Sequence, residues 1–400
     1  MKTHYQILVI GGGNAGLSLS AHLLLKNKKL DIGIVEPSDK HYYQPAWTLV
    51  GGGVFDINDT VRNEADFIPK QAAWIKDSCV SFQPEANRVT LASGAVLTYD
   101  YLVVCPGIQL DWGSVKGLKE ALGQNGVTTN YSFKVAPYTF ECLKNFKGGK
   151  VLFNNPHTAI KCGGAPHKIM WLAGDYFRIH GLLDKAEIHY YSGGTRLFGV
   201  EKYEKTLKKV AERYHVHTHF FEKLEEVDGP NKRARFVGFG EHNKGVETWV
   251  DYEIFHVTPP QSAPDFIKQS PLANAAGWVD VDKYSLQHVR YPNVFSLGDS
   301  SSLPTSRTGA AVRKQTPVVA NNLLSLIGGQ TLQAKYSGYS SCPIITGYGK
   351  LVLAEFDYNN QPMETFPFDQ SKERWSMYQL KKQVLPRMYW NLILRGRAQG

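Results

Sequence analysis

The chain has 400 residues, of which 42% are hydrophobic and 20% charged, and carries a formal net charge of +9 with a pI near 9.1. This length predicts two or three domains with a sizeable core, and the composition excludes a fibrous or low-complexity chain. The Lys and Arg residues are scattered without a nucleic-acid motif, so the basic balance reads as a solvated surface and no nucleic acid is expected as a partner.

Met1 to Gln6 run directly into the apolar stretch Ile7 to Ile10, which ends in glycines rather than in a small-residue cleavage site, so no cleavable signal peptide is expected. No apolar run reaches the roughly 18 residues that a spanning helix needs. The cysteines are Cys79, Cys105, Cys142, Cys162 and Cys342, an odd and low number that argues against a disulfide scaffold. No metal ion is expected.

Residues 5–10, YQILVI, predict a strand, and Gly11, Gly13 and Gly16 follow at GxGxxG spacing. Residues 17–26 predict a helix, and a second strand, Asp31 to Val35, ends at Glu36. Gly11 permits a tight turn, Gly13 lets the backbone approach a pyrophosphate, and Gly16 lets the helix pack closely on the sheet. The helix N-terminus offers free N–H groups to phosphate, and Glu36 can accept from ribose hydroxyls. With strand, helix, second strand and acid in order, the motif predicts a dinucleotide site. Residues 99–107 predict a strand closed by Pro106 and Gly107, and residues 291–299 another that ends in Gly298 and Asp299. This set resembles the flavoproteins with two dinucleotide-binding domains, in which the late Gly-Asp pair ends at FAD. The alternative for Asp299 is a plain turn residue.

The strand Lys150 to Phe153 stands where such proteins carry a second glycine fingerprint, yet Asn154, Asn155 and Pro156 follow it. Asn places a side chain where a pyrophosphate must come close, and Pro has no N–H to offer. The expected fold is α/β, with two three-layer Rossmann-like domains: a discontinuous FAD domain (1–111 with 285–328) and a second domain (112–284) without a NAD site. A C-terminal region (329–400) completes it. NAD(P)H is not the expected electron donor.

Cys162 lies in IKCGGAPHK among Lys161, His167 and Lys168, ahead of a helix predicted near Pro166, a setting that lowers a thiol pKa. Cys342 precedes Pro343, 180 residues later. Spacing alone does not pair them, and the residues by themselves allow either a redox pair or two buried free thiols. Cys105 reads as core, Cys142 as a half-buried helix residue, and Cys79 as the end of a strand from Ala73 whose backbone passes the adenine. His167 reads as a surface histidine, with a proton shuttle as the alternative. Lys161 and Lys168 read as attractors of anions or as a solvated basic loop.

The stretches EPSDKHYYQPAWTLVGGG, IKCGGAPHKIMWL, NVFSLGDSSSLPTSRTGAAV and YSGYSSCPIITGYGKLVLAEFDYNN resemble the sulfide:quinone oxidoreductases, in particular the type II group that includes the mitochondrial enzyme. The resemblance runs over nearly the whole chain. It implies that Cys162 and Cys342 are redox cysteines beside the flavin, joined at rest by a disulfide or trisulfide. It implies FAD contacts at Asn14, Ala15, Glu36, Gln44, the backbone of Cys79, Asp299 and Arg307, the last replacing an expected Lys. By the same resemblance hydrosulfide attacks at Cys342, Cys162 leaves as thiolate, and two electrons pass through FAD to a membrane quinone. A small acceptor (glutathione, sulfite, cyanide or a second sulfide) takes the sulfur.

Residues 372–397 mix Trp, Tyr, Met and Leu with Lys and Arg, and predict one or two amphipathic helices interrupted at Pro386. They read as a monotopic contact with the membrane interface or as an ordinary docking helix. Phe356 and Tyr389 are candidate walls of a quinone site. The expected location is the cytoplasmic side of a bacterial membrane, with a homo-oligomer possible. The rival readings are a type II NADH:quinone oxidoreductase, a sulfide dehydrogenase with a cytochrome subunit, and a flavin redox sensor without turnover.

Overall fold

The computed structural model describes residues 2–398, so the last two residues of the expected C-terminal region lie outside it. The first sheet runs in the order Ala73–Ile75, Ile32–Val35, His4–Ile10, Val96–Val104, Arg88–Leu91 and Cys79–Gln83, with Val294–Ser296 also paired to Val96–Val104. The strands around His4–Ile10 are parallel, and Ile7, Leu8, Val9, Ile32, Ile34, Leu102 and Val103 are buried. Their near-continuous apolar runs are what a parallel strand covered on both faces requires. The expected strand from Ala73 to Cys79 is two strands, the second of which turns away to form an antiparallel extension. The helices Asn14–Lys26 and Gly309–Ile327 pack into this core through Leu17, Leu19, Leu23, Val312, Val319 and Leu323.

The second sheet is wholly parallel, in the order Val127–Thr128, Ile254–His256, Gly149–Asn155, Ala186–Ser192 and His217–Phe220. A three-stranded antiparallel sheet, Glu222–Asp228, Arg233–Gly238 and Glu247–Asp251, follows it. The helix Ala165–Ile179 buries Ile169, Met170, Trp171, Leu172 and Phe177 in this unit. Ala263, Ile267, Leu272, Val279 and Val281 already pack in the first core, so the chain returns there before the expected residue 285.

The C-terminal region joins both units. The hairpin Ser340–Gly347 and Lys350–Phe356 packs in the second core, whereas Tyr389, Trp390, Ile393 and Leu394 pack in the first. The helical run is not broken at Pro386. It continues from Trp375 to Ile393 through two π-helical stretches, Leu380–Val384 and Tyr389–Ile393. Pro386 falls in the first turn of Leu385–Met388, and the wider turn ahead of it takes up the missing N–H.

Candidate active site

The glycine loop is shaped by two close approaches and one open position. Gly11 has φ +108°, and a Cβ there would lie 2.5 Å from the Cys105 carbonyl oxygen. A Cβ on Gly16 would lie 1.9 Å from the Gly11 carbonyl oxygen, so helix and loop touch through backbone alone. Gly13 caps Asn14–Lys26 without a side-chain hydrogen bond and has open space around its Cβ position. The first N–H groups of that helix, beginning at Asn14 and Ala15, are therefore left for an anion. Glu36 accepts from Gly12 N (2.7 Å) and Ser38 N (2.8 Å).

The far end of the cradle lies at Gly298, whose turn (φ +75°) packs on Ala15, and at Asp299. Burial raises the Asp299 carboxyl pKa against the opposing charges of Lys161 and Arg307. Arg307 donates to the Asp299 carbonyl (2.8 Å) and lies 3.8 Å over the Trp278 ring. Gln44 accepts from the Lys161 ammonium, and Gly107 (φ +86°) faces open space. Burial pushes the Cys79 thiol up to about 12. An open glycine loop, an uncapped helix, a carboxylate at one end and the half-buried Asp299 and Arg307 at the other fit FAD.

In the second unit the crevice beyond Gly149–Asn155 is filled by its own loop. Asn154 exchanges two hydrogen bonds with the Thr258 backbone (2.8 and 3.1 Å), and a Cβ on Gly193 would collide with the His157 backbone at 2.4 Å. The loop then runs on to Cys162, which holds the left-handed backbone conformation at φ +56°. This is uncommon for a residue with a side chain, and the surroundings must enforce it. Cys162 N donates to the Arg307 carbonyl (2.8 Å), and Ala165 N donates to the Cys162 carbonyl (2.7 Å).

This strained turn brings Cys162 Sγ to 3.5 Å from Cys342 Sγ, with both thiols free. Gly164 is small of necessity, since a Cβ there would stand 2.6 Å from Cys342 Sγ. Lys168, only 4% exposed, donates to Cys162 Sγ at 3.0 Å. A bare ammonium in such a place costs several kcal/mol, while unit charges at this distance attract by about 5 kcal/mol at an effective dielectric near 20, so the thiolate is what makes the buried lysine tolerable. The Cys342 thiol and then Lys168 hold Cys162 well below the ordinary thiol range. Its hydrogen bond to Cys162, with burial, raises Cys342 well above that range. The pair is thus unequal, one sulfur an anion and the other a thiol.

Two basic residues differ from expectation. Lys168 is not on a solvated loop. His167 is 2% exposed rather than at the surface, with neither ring nitrogen hydrogen-bonded, and burial lowers its pKa to about 3, so the ring is neutral. The first turn of Ala165–Ile179 faces the core, so consecutive residues 166–170 are all buried. Lys381, from the distant C-terminal run, was missed by the sequence reading. It is 4% exposed, donates to the Pro45 carbonyl (2.9 Å), and is brought to about 7 by burial and by the charge of Lys168, with both cysteines opposing. In sequence it is one of two adjacent lysines, and nothing local separates it from its half-buried neighbour Lys382. Tyr389 is buried with its hydroxyl 2.6 Å from His41 Nε2, and Phe356 is buried against Phe198.

Two dinucleotide-type units, a glycine cradle in the first and facing cysteines carried by the second unit and the C-terminal hairpin define a flavoprotein oxidoreductase with a facing cysteine pair. Residues 5–135 match the family described as pyridine nucleotide-disulphide oxidoreductase. A mitochondrial sulfide:quinone oxidoreductase of Dictyostelium discoideum is 50% identical over 403 residues, covering 100% of this chain and 88% of its own. The mitochondrial sulfide:quinone oxidoreductase of Mus musculus is 44% identical, over 99% of this chain and 87% of its own. The chain belongs to the sulfide:quinone oxidoreductase family, and its cofactor is FAD. The X-ray structure of the sulfide:quinone oxidoreductase from the hyperthermophilic bacterium Aquifex aeolicus has the same fold, with a TM-score of 0.83 over 100% of this chain and 93% of that one at 18% identity. The Dictyostelium and mouse relatives, at 50% and 44% identity, are mitochondrial proteins of eukaryotes, which overturns the expected bacterial, cytoplasmic-side location.

Proposed function

We propose that the chain oxidises sulfide at Cys162 and Cys342 and passes two electrons through FAD to a quinone. The observation that carries this is the unequal sulfur pair, 3.5 Å apart, with Lys168 donating to Cys162 at 3.0 Å. When the two sulfurs are bridged, hydrosulfide attacks Cys342, a new S–S bond forms there, and the old bond breaks toward Cys162. Exchange favours the leaving sulfur that is the better-stabilised thiolate, and Lys168 makes that sulfur Cys162. A small nucleophile (glutathione, sulfite, cyanide or a second sulfide) then takes the outer sulfur from Cys342 and leaves a second thiolate. Closing the bridge again releases two electrons. FAD supplies the capacity to accept that pair and hand it on to the quinone.

The resting bridge can hold an extra sulfur. Two S–S bonds of about 2.05 Å at an ordinary angle span roughly 3.2 to 3.3 Å, close to the observed separation. Glu36, the loop from Gly11 to Gly16, Asp299 and Arg307 hold FAD in this reading.

No helix among the described residues is long and apolar enough to cross a membrane. The C-terminal run nevertheless exposes Trp375 (68%), Val384 and Leu392 beside Lys382, Arg387 and Arg395. Apolar groups flanked by cations suit a bilayer interface, which is where a quinone is met.

Anaerobic mixing tests the reading against an NADH-dependent one. Sulfide should bleach the flavin absorbance in a single fast phase, and NADH should leave it oxidised. Fast bleaching by NADH with none by sulfide would reject the proposal.

A further inference from the structure

The two cysteines meet from separate parts of the fold, Cys162 from the loop ahead of Ala165–Ile179 and Cys342 from the hairpin strand Ser340–Gly347. That strand is paired with Lys350–Phe356 in a two-stranded sheet. A two-stranded ribbon is not stable by itself, so its distance from the Cys162 turn must be set by contacts outside its own ladder. Gly164 packs against Cys342 Sγ and limits how near the strand can come. It does not keep the strand from drifting away.

Side chains alternate along a strand, so Ser340 shares a face with Cys342. Ser340 is fully buried, and its hydroxyl donates to the Ser306 carbonyl (3.1 Å). A serine has one hydroxyl proton, so the Thr308 hydroxyl, 2.9 Å away, is the donor to Ser340 Oγ. Thr308 Oγ1 in turn accepts from Ala311 N (3.1 Å) at the start of Gly309–Ile327. The residue after Ser306 supports the other cysteine. The Arg307 carbonyl accepts from Cys162 N (2.8 Å), and Arg307 forms a β-bridge with Lys161. Adjacent carbonyls of one segment thus hold both cysteine-bearing segments, and that segment caps a 19-residue helix. The far end of the Cys342 strand is held from the second unit, where the Tyr214 hydroxyl donates to the Thr346 carbonyl (2.8 Å).

We propose that Ser340 is a positioning residue of the sulfur pair: it ties the Cys342 strand, through the Ser306 carbonyl and the Thr308 hydroxyl, to the segment that holds Cys162, and so sets the spacing of the two sulfurs. The proposal rests on Cys162 and Cys342 as the reacting pair. It gives the segment 306–308 a second task beside the cofactor, since one short stretch of backbone then places both sulfurs.

The test reads the spacing through Cys162, whose thiolate is supported first by the Cys342 thiol. FAD-loaded protein is reduced anaerobically, and the rate of iodoacetamide alkylation at Cys162 is followed against pH by peptide mass spectrometry. Ser340→Ala lets Cys342 move off and should raise the Cys162 midpoint by about one pH unit, with Lys168 still in place and flavin content unchanged. Thr308→Val, which keeps the shape but not the hydroxyl, should raise it in the same direction and serves should the first variant fail to fold. Thr308→Ser, which keeps the hydroxyl, should match the unaltered protein. A lower melting temperature with an unchanged midpoint in Ser340→Ala and Thr308→Val would overturn the proposal, because that is the result for a serine that only stabilises the hairpin. Equal shifts in Thr308→Val and Thr308→Ser would do the same. Sulfide and quinone take no part in the readout, so a chain that failed to oxidise sulfide would still show whether Ser340 holds the pair. An ordinary midpoint in the unaltered protein would remove the pair, and the proposal with it.

Discussion

Lys168 Nζ lies 3.0 Å from Cys162 Sγ, and the two residues sit on opposite sides of the turn that opens Ala165–Ile179. A cation so placed widens a difference that the hydrogen bond between the two sulfurs already sets. Replacing it should narrow that difference. In reduced protein, Lys168→Met should move the Cys162 titration midpoint up toward the ordinary value of about 8.5. The thiolate exists above the midpoint, so the rate of iodoacetamide alkylation at pH 6 should fall at least tenfold while the rate at pH 10 changes little. An unchanged rate at pH 6 would assign the low pKa to something other than Lys168.

Lys381 titrates near neutrality because burial and Lys168 both oppose its charge. For a lysine, the charged form is present below the pKa and lost above it. A second ammonium therefore faces the cysteines only as the pH falls through about 7. The rate of sulfide attack should show an inflection there, and Lys381→Met should abolish it while FAD content stays unchanged. Stopped-flow reduction across pH 5.5 to 8.5 reads this directly.

Gly164→Ala places a methyl 2.6 Å from Cys342 Sγ. The sulfur must move, and a displacement of about 1 Å at a reacting atom costs on the order of a hundredfold in rate. We expect turnover to fall by about that factor with flavin content near normal. Gly16→Ala behaves differently. Its Cβ meets a backbone oxygen at 1.9 Å, which no side-chain motion relieves, so the protein should purify with little FAD and a lowered melting temperature.

Much of the nucleotide cradle was legible in the sequence because a glycine fingerprint is a local code. Gly11, Gly13 and Gly16 lie within six consecutive residues, and backbone geometry leaves few other residues able to stand there. Gly12 was overlooked because its constraint is set by the side chains of Glu36 and Glu64, which folding brings in from outside the loop. The same holds for Lys381, whose neighbour Pro45 lies 336 residues back in the chain. His167 was misjudged because a polar residue after a glycine pair looks like surface, and only packing against Trp171 and Tyr190 reveals otherwise. The strand boundaries shifted by a few residues. The continuity of the helix through Pro386 rests on π-helical turns, for which sequence offers no clear signature.

The exposed apolar residues of the C-terminal run give a separable prediction. Trp375→Glu with Leu392→Glu should reduce co-sedimentation with anionic lipid vesicles and slow reduction of a long-chain quinone embedded in them. Reduction of a short-chain, water-soluble quinone should be unaffected. Equal slowing with both quinones would place these residues in the catalytic path and not at a membrane surface.

The central claim is that sulfide enters through the Cys162–Cys342 pair. Sulfide-dependent reduction of a short-chain quinone by Cys162→Ser and Cys342→Ser, each loaded with FAD, tests it most directly. Both variants should lose activity by at least a thousandfold while retaining flavin, because each sulfur is needed to close the bridge. Sustained turnover near the parent rate in either variant would contradict the account.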